Sequence, residues 1–223
     1  MRRLLAFATI ALATGCRSLP FPDPQLEGEY GLALKKWTRK VALYSGLETR
    51  AFVRMVYLSP EFVNAQALEL SRMRAELPDQ AAATLAHLRA DYRQPTFFAV
   101  VYIPDKTAND WNQPDSVWRL ALNMGIGERP PDRIRRYEVP FNAEMRALYP
   151  YLDDYSVGYL IRFPDPAPSS QAAADRFMPV EAQLIAAGAL GKMMFRWRLD
   201  GGPESPPSAE PGAEQKSATT PKQ

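Results

Sequence analysis

Hydrophobic positions recur with a period of two along much of the chain. Over residues 50–58 the odd positions Ala51, Val53, Met55 and Tyr57 are apolar, while Arg50 and Arg54 point the other way. That alternation predicts a half-buried strand. Residues 40–44 alternate likewise, with Val41 and Leu43 on one face, and Ser45-Gly46 is a turn signal, so the two runs predict a hairpin. Further along, Trp118, Leu120, Leu122 and Met124 share a face, as do Tyr155, Val157, Tyr159, Ile161 and Phe163, and Met193, Phe195, Trp197 and Leu199. Residues 134–139 and 180–185 read as weaker strands. The run 96–103 is apolar on both faces, which predicts a central strand.

The period changes to that of a helix after Ser59-Pro60-Glu61. Serine at the N-cap, proline in the first turn and an acid beside the positive helix end form a start signal. Phe62, Leu70, Met73 and Leu77 then fall on one face, and after Pro78-Asp79 so do Ala81, Leu85, Leu88 and Tyr92. A helical pair over residues 60–93 follows, ended by Gln94-Pro95. Weaker helical signals lie at 26–37 and 141–148. Many strands with helices inserted, not interleaved, argue against a wound parallel sheet. The expected class is mostly β with a helical insertion (α+β): an antiparallel β-sandwich or partly open barrel with a two-helix insert.

The N-terminus follows a different pattern. Met1-Arg2-Arg3 is positive, residues 4–13 are apolar, and Ala13-Thr14-Gly15-Cys16 offers small residues before a thiol. Ten apolar residues are too few to span a bilayer but suit a secretory signal. The four residues resemble the lipobox of bacterial lipoproteins, with Ala13 where leucine is usual. The resemblance covers residues 1–16. It implies cleavage before Cys16, a diacylglyceryl chain on its thiol and stable membrane anchoring. Cys16 is the single cysteine of the chain, so an internal disulfide is excluded. Arg17, in place of the aspartate that retains such proteins at the inner membrane, implies the outer membrane, facing the periplasm or the cell surface.

The expected organisation is a signal peptide over 1–15, the lipidated cysteine and a stiff spacer with Pro20, Pro22 and Pro24 over 16–25, one β-rich domain over 26–200, and a disordered tail over 201–223. The tail lacks aromatic and large aliphatic residues, so it cannot offset the entropy of ordering. Charge changes the picture little. The formal net charge is +2, but without residues 1–15 the chain has 25 basic and 25 acidic residues. A neutral chain does not suit nucleic acid.

Candidate chemistry is sparse. His87 is the single histidine, and with one cysteine this excludes the usual zinc sites of several His or Cys ligands. A Ser-His-Asp triad would have to use His87, and no Gly-x-Ser-x-Gly accompanies it. Gly125-Ile126-Gly127 reads as a turn, as does Gly188-Ala189-Leu190-Gly191. Asp105, Asp110, Asp115, Asp153 and Asp154 read as turn-capping acids, although two carboxylates across a cleft would suffice for glycan hydrolysis. No cofactor, metal or catalytic residue is expected. Arg50, Arg54, Arg119, Arg162, Arg196 and Arg198 occupy the outward faces of expected strands. If those strands share a sheet, they form a surface for anionic groups. The expected role is a non-enzymatic binding or structural module for an envelope polymer or protein partner. The alternatives are a carrier of lipid or another small ligand in an apolar β pocket, and a carboxylate hydrolase of envelope glycans.

Overall fold

The computed structural model describes residues 28–137, 140–166 and 178–200. The signal peptide, Cys16, the spacer and the tail lie outside the described residues. Within them the order is α1 (Gly28–Trp37), β1 (Thr38–Ser45), β2 (Glu48–Tyr57), α2 (Pro60–Met73), α3 (Pro78–Asp91), β3 (Thr96–Tyr102), β4 (Trp118–Asn123), β5 (Glu128–Arg129), β6 (Arg133–Tyr137), α4 (Ala143–Leu148), β7 (Val157–Arg162), β8 (Glu181–Gly188) and β9 (Gly191–Arg198). A single 3-10 turn, Lys106–Ala108, lies in the β3–β4 connection.

The strands form two antiparallel sheets. One has the order β1-β2-β3-β7-β6 and the other β5-β4-β8-β9. The ladders do not close into a barrel, and the architecture is the expected sandwich with helices. β3 is central, as its two-faced apolar run implies, with Val101 opposite Val53 on one side and Val157 on the other. The turn at Ser45-Gly46 works because Gly46 has φ +61, a left-handed conformation that costs other residues about 1 kcal/mol.

One face of the five-stranded sheet packs on the four-stranded sheet. Phe97 and Tyr57 meet Trp197, with ring centroids at 5.1 and 6.2 Å. Trp111, from the β3–β4 connection, stacks on Tyr159 at 5.5 Å and reaches Trp118 at 6.2 Å. Trp118, Tyr159, Phe195 and Trp197 are all buried, so large side chains fill this interior. Along one side β1 and β9 approach without a ladder. There the Arg39 side chain donates to the Arg196 carbonyl at 2.7 Å, and Leu43 fills the space over Gly191.

The opposite face of the five-stranded sheet carries Val56, Phe98 and Leu160, and the helices lie over it. α2 starts as the sequence indicates: Ser59 Oγ accepts the Phe62 N–H at 3.1 Å. Phe62 packs against Tyr30 of α1 at 5.7 Å. Asn142 caps α4 by accepting the Met145 N–H at 2.7 Å. α3 differs from α2 in having no fully buried residue; only half-buried Leu88 and, just past its end, Tyr92 pack on the core.

Candidate binding pocket under the helices

A cavity of about 340 Å³ lies between the helical layer and the five-stranded sheet. Phe98 and Leu160 of the sheet line one side, Gln66 and Leu70 of α2 another, and Leu88 of α3 a third. Leu148 and Tyr149, at the end of α4, line it as well. The walls are therefore mainly apolar and aromatic, with Phe98 and Tyr149 in contact at 4.4 Å between centroids. The size falls in the range of small-molecule sites.

The polar groups are few and sort into two sets. Gln66 and Tyr149 are buried, at 5% and 4% exposure. Gln66 Nε2 donates to Tyr149 Oη at 3.2 Å, and Gln66 Oε1 is shielded from solvent without a partner. Burial holds the Tyr149 phenol well above its ordinary pKa, so it stays protonated. Gln66 was absent from the sequence-derived candidates, although its signal was there. It stands four residues after Phe62 and four before Leu70, a polar residue in the middle of an apolar helix stripe.

The second set lies nearer solvent. Arg74, at the end of α2, grips Glu144 of α4 through two bonds of 2.8 Å and reaches Glu76 at 3.4 Å. Glu76 also accepts from Ser71 at 2.8 Å and from Thr84 of α3 at 2.9 Å. The Ser71 hydroxyl is the leading cause that lowers the pKa of Glu76. The two carboxylates meet around one guanidinium and tie α2, α3 and α4 together. An acid catalyst for glycan cleavage needs the opposite shift.

Of the candidate residues that the sequence singled out, His87 touches the pocket and the others lie elsewhere. His87 lines the outer pocket, 74% exposed, with Nδ1 3.4 Å from Asp91 Oδ2. No serine or cysteine is among the described residues that line the cavity. Asp105 Oδ1 accepts from Thr107 N–H and hydroxyl, Asp110 from the Ser116 hydroxyl and Val117 N–H, and Asp153 from the Tyr155 and Ser156 N–H groups. These are turn caps. Asp154 pairs with Arg146. No group of three or more His, Cys, Asp or Glu suited to a metal ion occurs among the described residues.

The arginine surface is not one surface. Arg50, Arg54 and Arg162 belong to the five-stranded sheet, whereas Arg119, Arg196 and Arg198 belong to the four-stranded sheet. Alternation alone places a residue outward, but the outward directions of two packed sheets are opposed. Acids also stand beside several of them: Glu48 by Arg50 at 3.0 Å, Asp132 by Arg162 at 3.2 Å, Glu181 by Arg196 at 3.8 Å and Asp200 by Arg198 at 2.6 Å. Arg54 lies over the Tyr151 ring at 5.1 Å.

No protein-family model, curated protein or solved structure matches the chain.

Proposed function

We propose that this chain is a lipid-anchored protein of the bacterial cell envelope, held through Cys16 at the outer membrane, whose β-rich domain is a non-enzymatic binding module. Its binding site is the pocket under the helices, and its ligand is a small, mainly apolar molecule. The observation that carries the binding-site reading is the cavity of about 340 Å³, with mainly apolar walls and a buried amide in its lining. We favour the small-ligand alternative over the expected polymer-binding module, because the outward arginines are divided between two sheets. Relative to the expected β pocket, the site moves to the other face of the five-stranded sheet, since tryptophans and phenylalanines fill the space between the sheets.

The test uses N-phenylnaphthylamine, an apolar dye that brightens when it leaves water. The full chain should bind it saturably, one dye per protein. Leu88→Trp, which adds bulk at a half-buried wall position, should weaken binding by about tenfold, the effect of roughly 1.4 kcal/mol. Equal dye binding by both proteins would rule the pocket out. Mass measurement of membrane-purified wild type and Cys16→Ser tests the anchor. Wild type should begin at Cys16 and carry the excess mass of acyl chains, which the variant lacks.

A further inference from the structure

The pocket has a polar requirement that a purely apolar ligand would not meet. Gln66 is 5% exposed and spends one side-chain atom on Tyr149, leaving Oε1 unpaired away from water. A buried polar atom without a partner costs about 1–3 kcal/mol. Reversing the amide does not remove the deficit. Tyr149 Oη would then donate to Gln66 Oε1, and the amide nitrogen would be the atom left over. The last torsion of a glutamine side chain is broad and roughly two-fold, so a half-turn exchanges the two atoms. The matching ligand group must therefore act as donor or acceptor.

Charge narrows the class. The guanidinium that lines the cavity, Arg74, is already engaged by Glu144 and Glu76. His87 is on the exposed rim beside Asp91. A carboxylate or phosphate at Gln66 would be desolvated without a counter-charge, which is far more costly than burying a neutral group. An ammonium would face the same deficit, because the Tyr149 phenol is protonated and Glu144 is bound to Arg74.

We infer that the pocket takes a small neutral amphiphile, an alkyl or aryl body bearing one hydroxyl or primary amide, and that Gln66 and Tyr149 together read that polar group. This rests on the pocket reading above. The ligand enters polar end first, places its carbon against Phe98, Leu160 and Leu70, and completes the hydrogen bonding of the Gln66 amide.

The experiment compares three probes of similar shape by calorimetry: para-butylphenol, butylbenzene and para-butylbenzoate. The full chain should bind the phenol about tenfold more tightly than the hydrocarbon, the effect expected of one hydrogen bond made in a desolvated site, and more tightly than the benzoate. The double variant Gln66→Leu/Tyr149→Phe removes both partners and leaves no orphan, so it should fold. It should bind phenol and hydrocarbon equally. If that variant does not fold, Gln66→Met serves; it keeps the Tyr149 hydroxyl, so the preference should shrink without vanishing. Equal binding of phenol and hydrocarbon by wild type would overturn the inference and leave the pocket standing. A preference undiminished in the variants, or tighter binding of the benzoate, would also overturn it. If no probe binds, the pocket reading fails and the inference with it.

Discussion

Trp197 donates its indole N–H to the backbone carbonyl of Trp37 at 2.8 Å, joining the last strand to the end of the first helix across 160 positions of sequence. The bond ties the four-stranded sheet to the end of α1, just before β1, at the side where β1 and β9 have no ladder. Trp197 is fully buried and touches Tyr57, Phe97 and Phe195, so hydrogen bond and packing act at one residue. Trp197→Phe removes the donor and part of the ring. It should destabilise the fold by about 2–3 kcal/mol, the sum of a lost buried hydrogen bond and a partly filled cavity. Urea unfolding measures it, and a midpoint equal to wild type would show that the seam is held elsewhere.

Two glycines should respond differently to alanine. At Gly188 an added Cβ would lie 2.2 Å from the Val117 carbonyl oxygen, a backbone atom that cannot move without shifting β4 against β8. Gly188→Ala should cost about 2–3 kcal/mol. At Gly46 nothing lies within 4 Å, and the penalty is conformational only, through its φ of +61. Gly46→Ala should cost about 1 kcal/mol. A reversed order in thermal unfolding would contradict the β4–β8 register.

α3 should be the helix that opens most readily. It has no fully buried residue, whereas α2 has six, and both are 14 residues long. Local opening free energy follows buried contacts. Amides of 82–91 should exchange with deuterium faster than those of 64–73. Arg74→Gln should widen the difference, because it loosens Glu144 and Glu76 and with them the ties between α2, α3 and α4. Equal protection of the two helices would overturn this expectation.

Stability should fall in strong alkali. Burial pushes the phenols of Tyr57 and Tyr159 up to about 12 from an ordinary 10. A group whose pKa is raised in the folded state contributes stability that is complete below its unfolded pKa and is lost as pH rises through the folded one. The urea midpoint should hold up to about pH 10 and decline between 10 and 12. Tyr57→Phe should shrink that decline, and an unchanged slope would mean that Tyr57 does not titrate with folding.

The amino-acid sequence by itself determined the elements. Alternation at Ala51, Val53, Met55 and Tyr57 specifies a strand with one buried face whatever packs on it, and Ser59-Pro60 starts a helix through local hydrogen bonding. The two-residue β5 was not legible, because Glu128–Arg129 is too short to show a period. Tertiary structure alone decided which strands became neighbours. The period of two puts Arg54 and Arg196 on outward faces but does not state which sheet each joins, and the sheets divide them. It also decided the site. Gln66 was visible as a polar residue in an apolar stripe, yet its meaning depends on Tyr149, which is 83 residues away. Local propensity acts over a few residues, whereas a pocket is made by side chains that only long-range packing brings together.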